Sequence, residues 1–217
     1  MTPPIPPIVE TLLEDRIVAV VRLSSQEDGV PVSQALVSGG IRIIEVTITT
    51  PGAFDLIRSV RELVPDAIVG AGSVLTTEDA DGCIEAGAEF LVAPVLDPDL
   101  LQYVGRRGAV LCPGTFTPSE AYAAWKLGAP LIKVFPAARV GPKFLSDLKA
   151  PMPFLRLMPT GGISAETVGS FLNAGADVVG AGSWLTPREA VAAGAFGQIT
   201  KRAKALRAAV RESGERR

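Results

Sequence analysis

Two charged residues stand where a buried strand would ordinarily hold neither. Lys133 lies within Leu131-Ile132-Lys133-Val134-Phe135-Pro136, and Glu45 within Ile43-Ile44-Glu45-Val46-Thr47. Burying an ammonium or a carboxylate is costly unless the group is paired or neutral. A desolvated lysine amine beside another cation can attack a carbonyl and hold it as an imine. A carboxylate within reach can carry the protons that such chemistry moves. The plain alternative is a structural ion pair, which is often neutral for stability. For Lys133 alone, a side chain that snorkels outward would also serve.

Other positions could recognise an anionic substrate. Arg22 ends an apolar run and could hold a carboxylate in its guanidinium fork; it reads equally as a rim arginine in solvent. Two glycine turns, Pro159-Thr160-Gly161-Gly162-Ile163-Ser164 and Gly180-Ala181-Gly182-Ser183, offer bare amides to a phosphate. Arg156 falls earlier in its run and reads as a structural residue.

These residues need elements to position them, and the chain supplies a rhythm. Short apolar runs recur at Ile17–Arg22, Ile41–Thr47, Ala67–Gly72, Glu89–Pro94, Ala109–Pro113, Leu131–Pro136, Phe154–Thr160 and Asp177–Gly182. Each is bounded by Gly or Pro and reads as a strand buried on both faces. Amphipathic segments lie between them. Thr117-Pro118-Ser119-Glu120 and Thr186-Pro187-Arg188-Glu189 read as capping boxes, and Thr50-Pro51 and Asp97-Pro98 as cap-then-proline helix starts. Gly39-Gly40, Gly87, Gly128 and Gly175 read as helix ends. Eight strands alternating with helices predict a parallel α/β fold, a (β/α)8 TIM barrel with its chemistry at the C-terminal ends of the strands. An open doubly wound sheet is the rival, but no first-strand G-x-G-x-x-G is present.

One domain spanning residues 1–217 is expected, with residues 1–7 as an extended Pro-rich lead-in. The last helix, from about Thr186, is expected to run into a charged, fraying end at 211–217. Of the 217 residues, 47% are apolar, enough for one substantial core. The chain has no histidine, which excludes Ser/His/Asp and Cys/His triads and imidazole bases. Cys83 and Cys112 are far apart without metal-ligand spacing, so neither a disulfide framework nor a metal is expected. A net charge of −2 and 6% aromatics give no footprint for nucleic acid. No apolar run is long enough to span a membrane, and no secretory layout opens the chain, so a cytoplasmic location is expected.

An ordered set of motifs carries a resemblance. Ile44-Glu45-Val46-Thr47, Val69-Gly70-Ala71-Gly72-Ser73-Val74-Leu75, Pro113-Gly114, Ile132-Lys133-Val134-Phe135-Pro136-Ala137, Pro159-Thr160-Gly161-Gly162-Ile163 and Gly182-Ser183-Trp184-Leu185 occur in that order. Together they resemble the bacterial 2-keto-3-deoxy-6-phosphogluconate (KDPG) aldolase family, whose members often also cleave 4-hydroxy-2-oxoglutarate (KHG). The resemblance runs from about Ile17 to Leu185.

The resemblance implies a class I aldolase, a carbon–carbon lyase of carbohydrate metabolism in the Entner–Doudoroff pathway. Its partners would be pyruvate and a phosphorylated keto acid. Lys133 would form the Schiff base, and Glu45 would act as general acid/base through a water. Ser73 would hold that water. Arg22 and Pro94 would line the keto-acid pocket, with Phe135 beside the imine. Thr160, Gly161, Gly162, Gly182 and Ser183 would form the phosphate turns. No metal or cofactor is implied, and a homotrimer is. Thr49 stands where many members carry arginine, which leaves Arg22 as the main candidate for the substrate carboxylate. That departure opens the choice of aldehyde partner, and an activity on 2-keto-3-deoxy-6-phosphogalactonate is an alternative. A phosphosugar isomerase or epimerase on the same barrel would share the glycine turns but need no imine. A non-catalytic phosphate-binding barrel would leave Lys133 and Glu45 as a mere ion pair.

Overall fold

A computed structural model describes residues 5–214. The strands are β1 (Ile17–Val21), β2 (Ile43–Thr47), β3 (Ile68–Gly72), β4 (Leu91–Val92), β5 (Leu111–Cys112), β6 (Gly114–Thr115), β7 (Ile132–Val134), β8 (Leu157–Pro159) and β9 (Val179–Ala181). The helices are α1 (Pro7–Asp15), α2 (Gly29–Ser38), α3 (Ala53–Leu63), α4 (Thr77–Glu85), α5 (Pro98–Arg106), α6 (Pro118–Lys126), α7 (Ala137–Lys149), α8 (Val168–Asn173), α9 (Arg188–Ala192) and α10 (Phe196–Gly214). Each of the eight apolar runs contains strand residues. The fold is α/β, with all strand pairs parallel.

The strands form two sheets, in the orders β5-β4-β3-β2-β1-β9 and β6-β7-β8. The break falls at the end of the fifth run, at Pro113. Proline has no N–H to give to a ladder, so β5 stops before it and β6 begins just beyond the run. The Pro113 carbonyl still accepts from the Lys133 amide at 2.9 Å. The sheets are joined where the chain passes from β5 to β6 through Pro113, and between β8 and β9, where a parallel bridge pairs Thr160 with Gly180 and the Asp177 and Val178 amides donate to the Leu157 carbonyl at 3.0 and 3.3 Å.

Side chains alternate across a strand, and the core divides accordingly. The larger cluster packs the outer faces of the strands against the helices. The smaller one fills the inner faces with Val18, Ile43, Phe90, Val92, Val110, Cys112, Leu131, Met158 and Val178. Helix α1 joins that inner cluster through Val9 and Leu12, both fully buried. They lie three residues apart on one helical face, and most of their inner partners stand at the N-terminal ends of the strands. The helix α1, which follows the lead-in and which the sequence reading did not expect, is therefore a plug; Pro6 just before it is extended. Pro7 is its first helical residue, where a missing N–H costs nothing. Residues 1–4 of the expected lead-in lie outside the described residues.

Local expectations divide on the same kind of detail. Thr117 and Glu120 form the capping box, and Asp97 caps α5. Gly40, Gly87, Gly128 and Gly175 take the left-handed conformation that ends a helix. Thr186 does not cap: α9 starts after Pro187 with no side-chain cap, and Thr186 is buried. Thr50 does not cap α3 either, because Gly52 takes the N-cap position. Its hydroxyl accepts from the Leu23 amide at 3.1 Å instead, tying the loop after β2 to the loop after β1. The last helix is two, α9 and α10, and the charged end is helical through Gly214; residues 215–217 lie outside the described residues. Among the described residues no helix is long and apolar enough to cross a membrane.

Candidate active site

Strand parity aims the two outlying charges inward. Ile43, Glu45 and Thr47 share one face of β2, and Ile43 belongs to the inner cluster. Leu131, Lys133 and Phe135 share one face of β7, and Leu131 belongs to the same cluster. Glu45 is 1% and Lys133 5% exposed. Room for the carboxylate comes from β3, where Gly70 and Gly72 occupy successive inward positions. A Cβ on Gly72 would stand 1.9 Å from Glu45 Oε1, and one on Gly70 would strike the Phe90 ring at 2.4 Å. Bare backbone at these two positions is thus required by the side chains that fill the space.

The electrostatics couple the pair. Burial raises the Glu45 carboxyl above the usual carboxylate range, and the charges of Lys133 and then Arg22 pull against that rise. No salt bridge joins Lys133 to Glu45 among the described residues. Glu45 Oε2 is buried without a hydrogen-bond partner. A buried carboxylate oxygen without a partner is the kind of group that a substrate or a water would satisfy. The Lys133 Nζ lies 4.9 Å from the centroid of the Phe135 ring, within cation–π range. Its backbone is pinned on both sides: the amide donates to Pro113, and the carbonyl accepts from Thr115 Oγ1 at 3.1 Å.

The remaining expected residues gather at the C-terminal edge of the strands, with differing contacts. Arg22 and Thr49 line one cleft of about 460 Å³ with Arg188. The Thr49 hydroxyl pairs with that of Thr47 at 3.1 Å. Ser73 follows β3 with φ of 64°, a left-handed conformation that costs a non-glycine residue about 1–3 kcal/mol and concentrates at functional sites. The carbonyl of Pro94 packs on Gly114, where a Cβ would approach it to 2.3 Å. Thr160 lies over Gly180, where a Cβ would meet its Oγ1 at 2.3 Å, and its carbonyl accepts from the Ala137 amide at 2.8 Å. Gly161 and Gly162 both have positive φ, at 96° and 77°. Gly182 turns the chain by accepting from Leu185 and Thr186, and Ser183 is exposed beside it. No hydrogen bond joins Ser73, Pro94 or Ser183 to Lys133 or Glu45 among the described residues. Arg156 donates to the Pro130 carbonyl at 3.4 Å, below Lys133 on the neighbouring strand, as its structural reading expects.

Sequence reasoning passed over three residues here. Cys112 feels both site charges. Burial and Glu45 push its thiol up to about 12 against the opposing pull of Lys133, so it stays protonated at neutral pH. Alternation along Val110-Leu111-Cys112 could have placed it inward. Gly72 could have been found as one of two glycines spaced by two on a strand. Arg188 carried no signal, because its position depends on how α9 returns to the strand ends.

A buried lysine on β7 and a buried carboxyl on β2, each on the inner face of its strand and each acting on the other's charge, are the groups that a lysine-based acid/base centre requires. Comparison with known proteins gives the same class. The family model described as KDPG and KHG aldolase matches residues 8–202. The KHG/KDPG aldolase of Escherichia coli is 39% identical over 189 residues, covering 87% of this chain and 89% of that protein. The KDPG aldolase of Legionella pneumophila, solved with pyruvate captured as a covalent carbinolamine, superimposes with a TM-score of 0.83 at 31% identity, covering 88% of this chain and 93% of that one. The Zymomonas mobilis KDPG aldolase, solved with 3-phosphoglycerate, gives a TM-score of 0.82 at 33% identity, covering 92% and 94%. The chain belongs to the KDPG and KHG aldolase family of carbon–carbon lyases.

Proposed function

We propose that this protein reversibly cleaves KDPG to pyruvate and glyceraldehyde 3-phosphate, and KHG to pyruvate and glyoxylate, through a Schiff base on Lys133. The observation that carries the proposal is the buried, unbridged Lys133 opposite a Glu45 whose carboxyl is held above its usual range. The Lys133 amine adds to the C2 carbonyl, and loss of water from the carbinolamine gives a protonated imine. Glu45, as carboxylate, takes the proton of the C4 hydroxyl as the C3–C4 bond breaks. The bond's electron pair moves into the imine as an enamine, and the aldehyde leaves. Glu45 then returns its proton to C3, and water hydrolyses the imine to release pyruvate and the free amine. A carboxyl raised toward working pH suits both halves of that transfer.

The other residues take supporting roles. Arg22 and Pro94 face the keto-acid end, Phe135 covers the imine, and Ser73 positions a water for Glu45. The amides of Gly161 and Gly162, with Thr160, Gly182 and Ser183, hold the substrate phosphate and help fix the reacting carbon. We infer further that the two sheets close into one (β/α)8 barrel forming a single domain. The shared inner cluster and the Thr160–Gly180 bridge support closure. The working form is a cytoplasmic homotrimer.

The test is pyruvate release from KDPG and KHG by the full chain and by Lys133→Met, which keeps the length of the side chain without its amine. Cleavage by the wild type and none by a folded variant is expected. Comparable cleavage by both would end the Schiff-base proposal and favour a phosphosugar isomerase.

A further inference from the structure

The cleft lined by Arg22 and Thr49 has an unusual composition. It lies between the loops that follow β1 and β2 and the start of α9, with Arg22, Ser24, Thr49, Thr186 and Arg188 as its polar residues. No carboxylate is among the lining residues. Neither Arg22 nor Arg188 donates a hydrogen bond or joins a salt bridge among the described residues. Several other arginines are engaged, Arg42 and Arg207 on Asp15, Arg107 on Asp81, and Arg202 on the Trp184 carbonyl. Two like charges sharing one cleft repel, whereas an oxyanion between them would collect charge-assisted hydrogen bonds from both. Its wall is tied to the strand that carries Glu45, because Thr49 is hydrogen-bonded to Thr47 two residues beyond Glu45 on β2, and the Arg22 charge opposes the rise of the Glu45 carboxyl.

We propose that Arg22 and Arg188 form a two-guanidinium clamp for an oxyanion group of the substrate, with Arg188 as a specificity-determining residue. Thr49, hydrogen-bonded to Thr47, leaves the cleft wall short and uncharged, so the second cation comes from α9 rather than from the loop after β2. The clamp rests on the proposed aldol chemistry. Its ligand is a carboxylate or a phosphate, since both present the oxygens that a guanidinium grips.

The experiment compares wild type, Arg188→Ala and Arg188→Lys, each as the full chain with its melting temperature recorded. Borohydride trapping on Lys133 is measured with pyruvate and with its neutral methyl ester, and KM and kcat are measured for KDPG cleavage. A fall of about tenfold in the preference for pyruvate over the ester in Arg188→Ala, largely restored in Arg188→Lys, places the keto-acid carboxylate in the clamp. An unchanged preference with a KM for KDPG raised about tenfold at constant kcat places the phosphate there instead. Preference and KM both within twofold of wild type in folded Arg188→Ala would overturn the clamp while leaving the aldol chemistry standing. Absence of any Lys133 adduct in the wild type would overturn the aldol chemistry, and the clamp with it.

Discussion

Gly72→Ala is the smallest change that should damage the site, and its effect can be worked from distances. The new Cβ would stand 1.9 Å from Glu45 Oε1, 2.6 Å from its Cδ and 2.8 Å from its Cγ, where contacts below 3.0 Å are essentially never seen. The carboxylate must therefore withdraw by about 1.1 Å, or β2 and β3 must part. Glu45 is 1% exposed, so the side chain has little free space to enter. Gly72 does not have positive φ, so alanine adds no backbone strain and the collision carries the effect. Overpacking of this kind costs about 1–3 kcal/mol. A displacement of about 1 Å in a catalytic group can cost about a hundredfold in rate. Denaturant unfolding and steady-state KDPG cleavage read the two effects separately. Adding Glu45→Ala removes the colliding atoms, so the double variant should regain most of the lost stability but none of the activity. A Gly72→Ala protein within 0.5 kcal/mol of wild type and within twofold in kcat would refute the packing derived for the carboxylate.

Glu45→Gln removes a titrating group whose folded-state pKa lies above its unfolded value. Such a carboxyl contributes its stability below the ordinary pKa of about 4.3 and loses it as pH rises through the raised folded value. The variant should therefore gain stability relative to wild type across that window, read by melting temperature against pH, while losing aldol activity. Leu12→Ala should cost about 2–5 kcal/mol, because α1 plugs the N-terminal side of the inner core with a fully buried leucine. Its KM for KDPG should be unchanged, since the plug lies at the end of the strands away from Lys133.

The outlines of fold and site were legible because burial writes a strong pattern. A parallel strand covered on both faces must be apolar throughout, so a lysine or glutamate inside such a run declares itself, as Lys133 and Glu45 did. The elements that were missed depended on particular contacts. The helix α1 was hidden by the prolines before it, although Pro7 at the first helical position and the Val9–Leu12 spacing are both helix signals. Thr50 and Thr186 carry the side chains of caps, but one is diverted to the Leu23 amide and the other is buried before α9 begins. The short strand β6 beyond the fifth run, set off from β5 by the missing N–H at Pro113, was not expected because the proline reads as the end of the strand. Arg188 lines the cleft only through the return of the chain between β9 and α10.

Borohydride reduction in the presence of pyruvate, followed by intact mass and peptide mapping, tests the lysine chemistry most directly. One pyruvyl-derived adduct per chain is expected, mapped to Lys133 and absent from Lys133→Ala. A folded wild-type protein with no adduct, or with the adduct on another lysine, would contradict the mechanism.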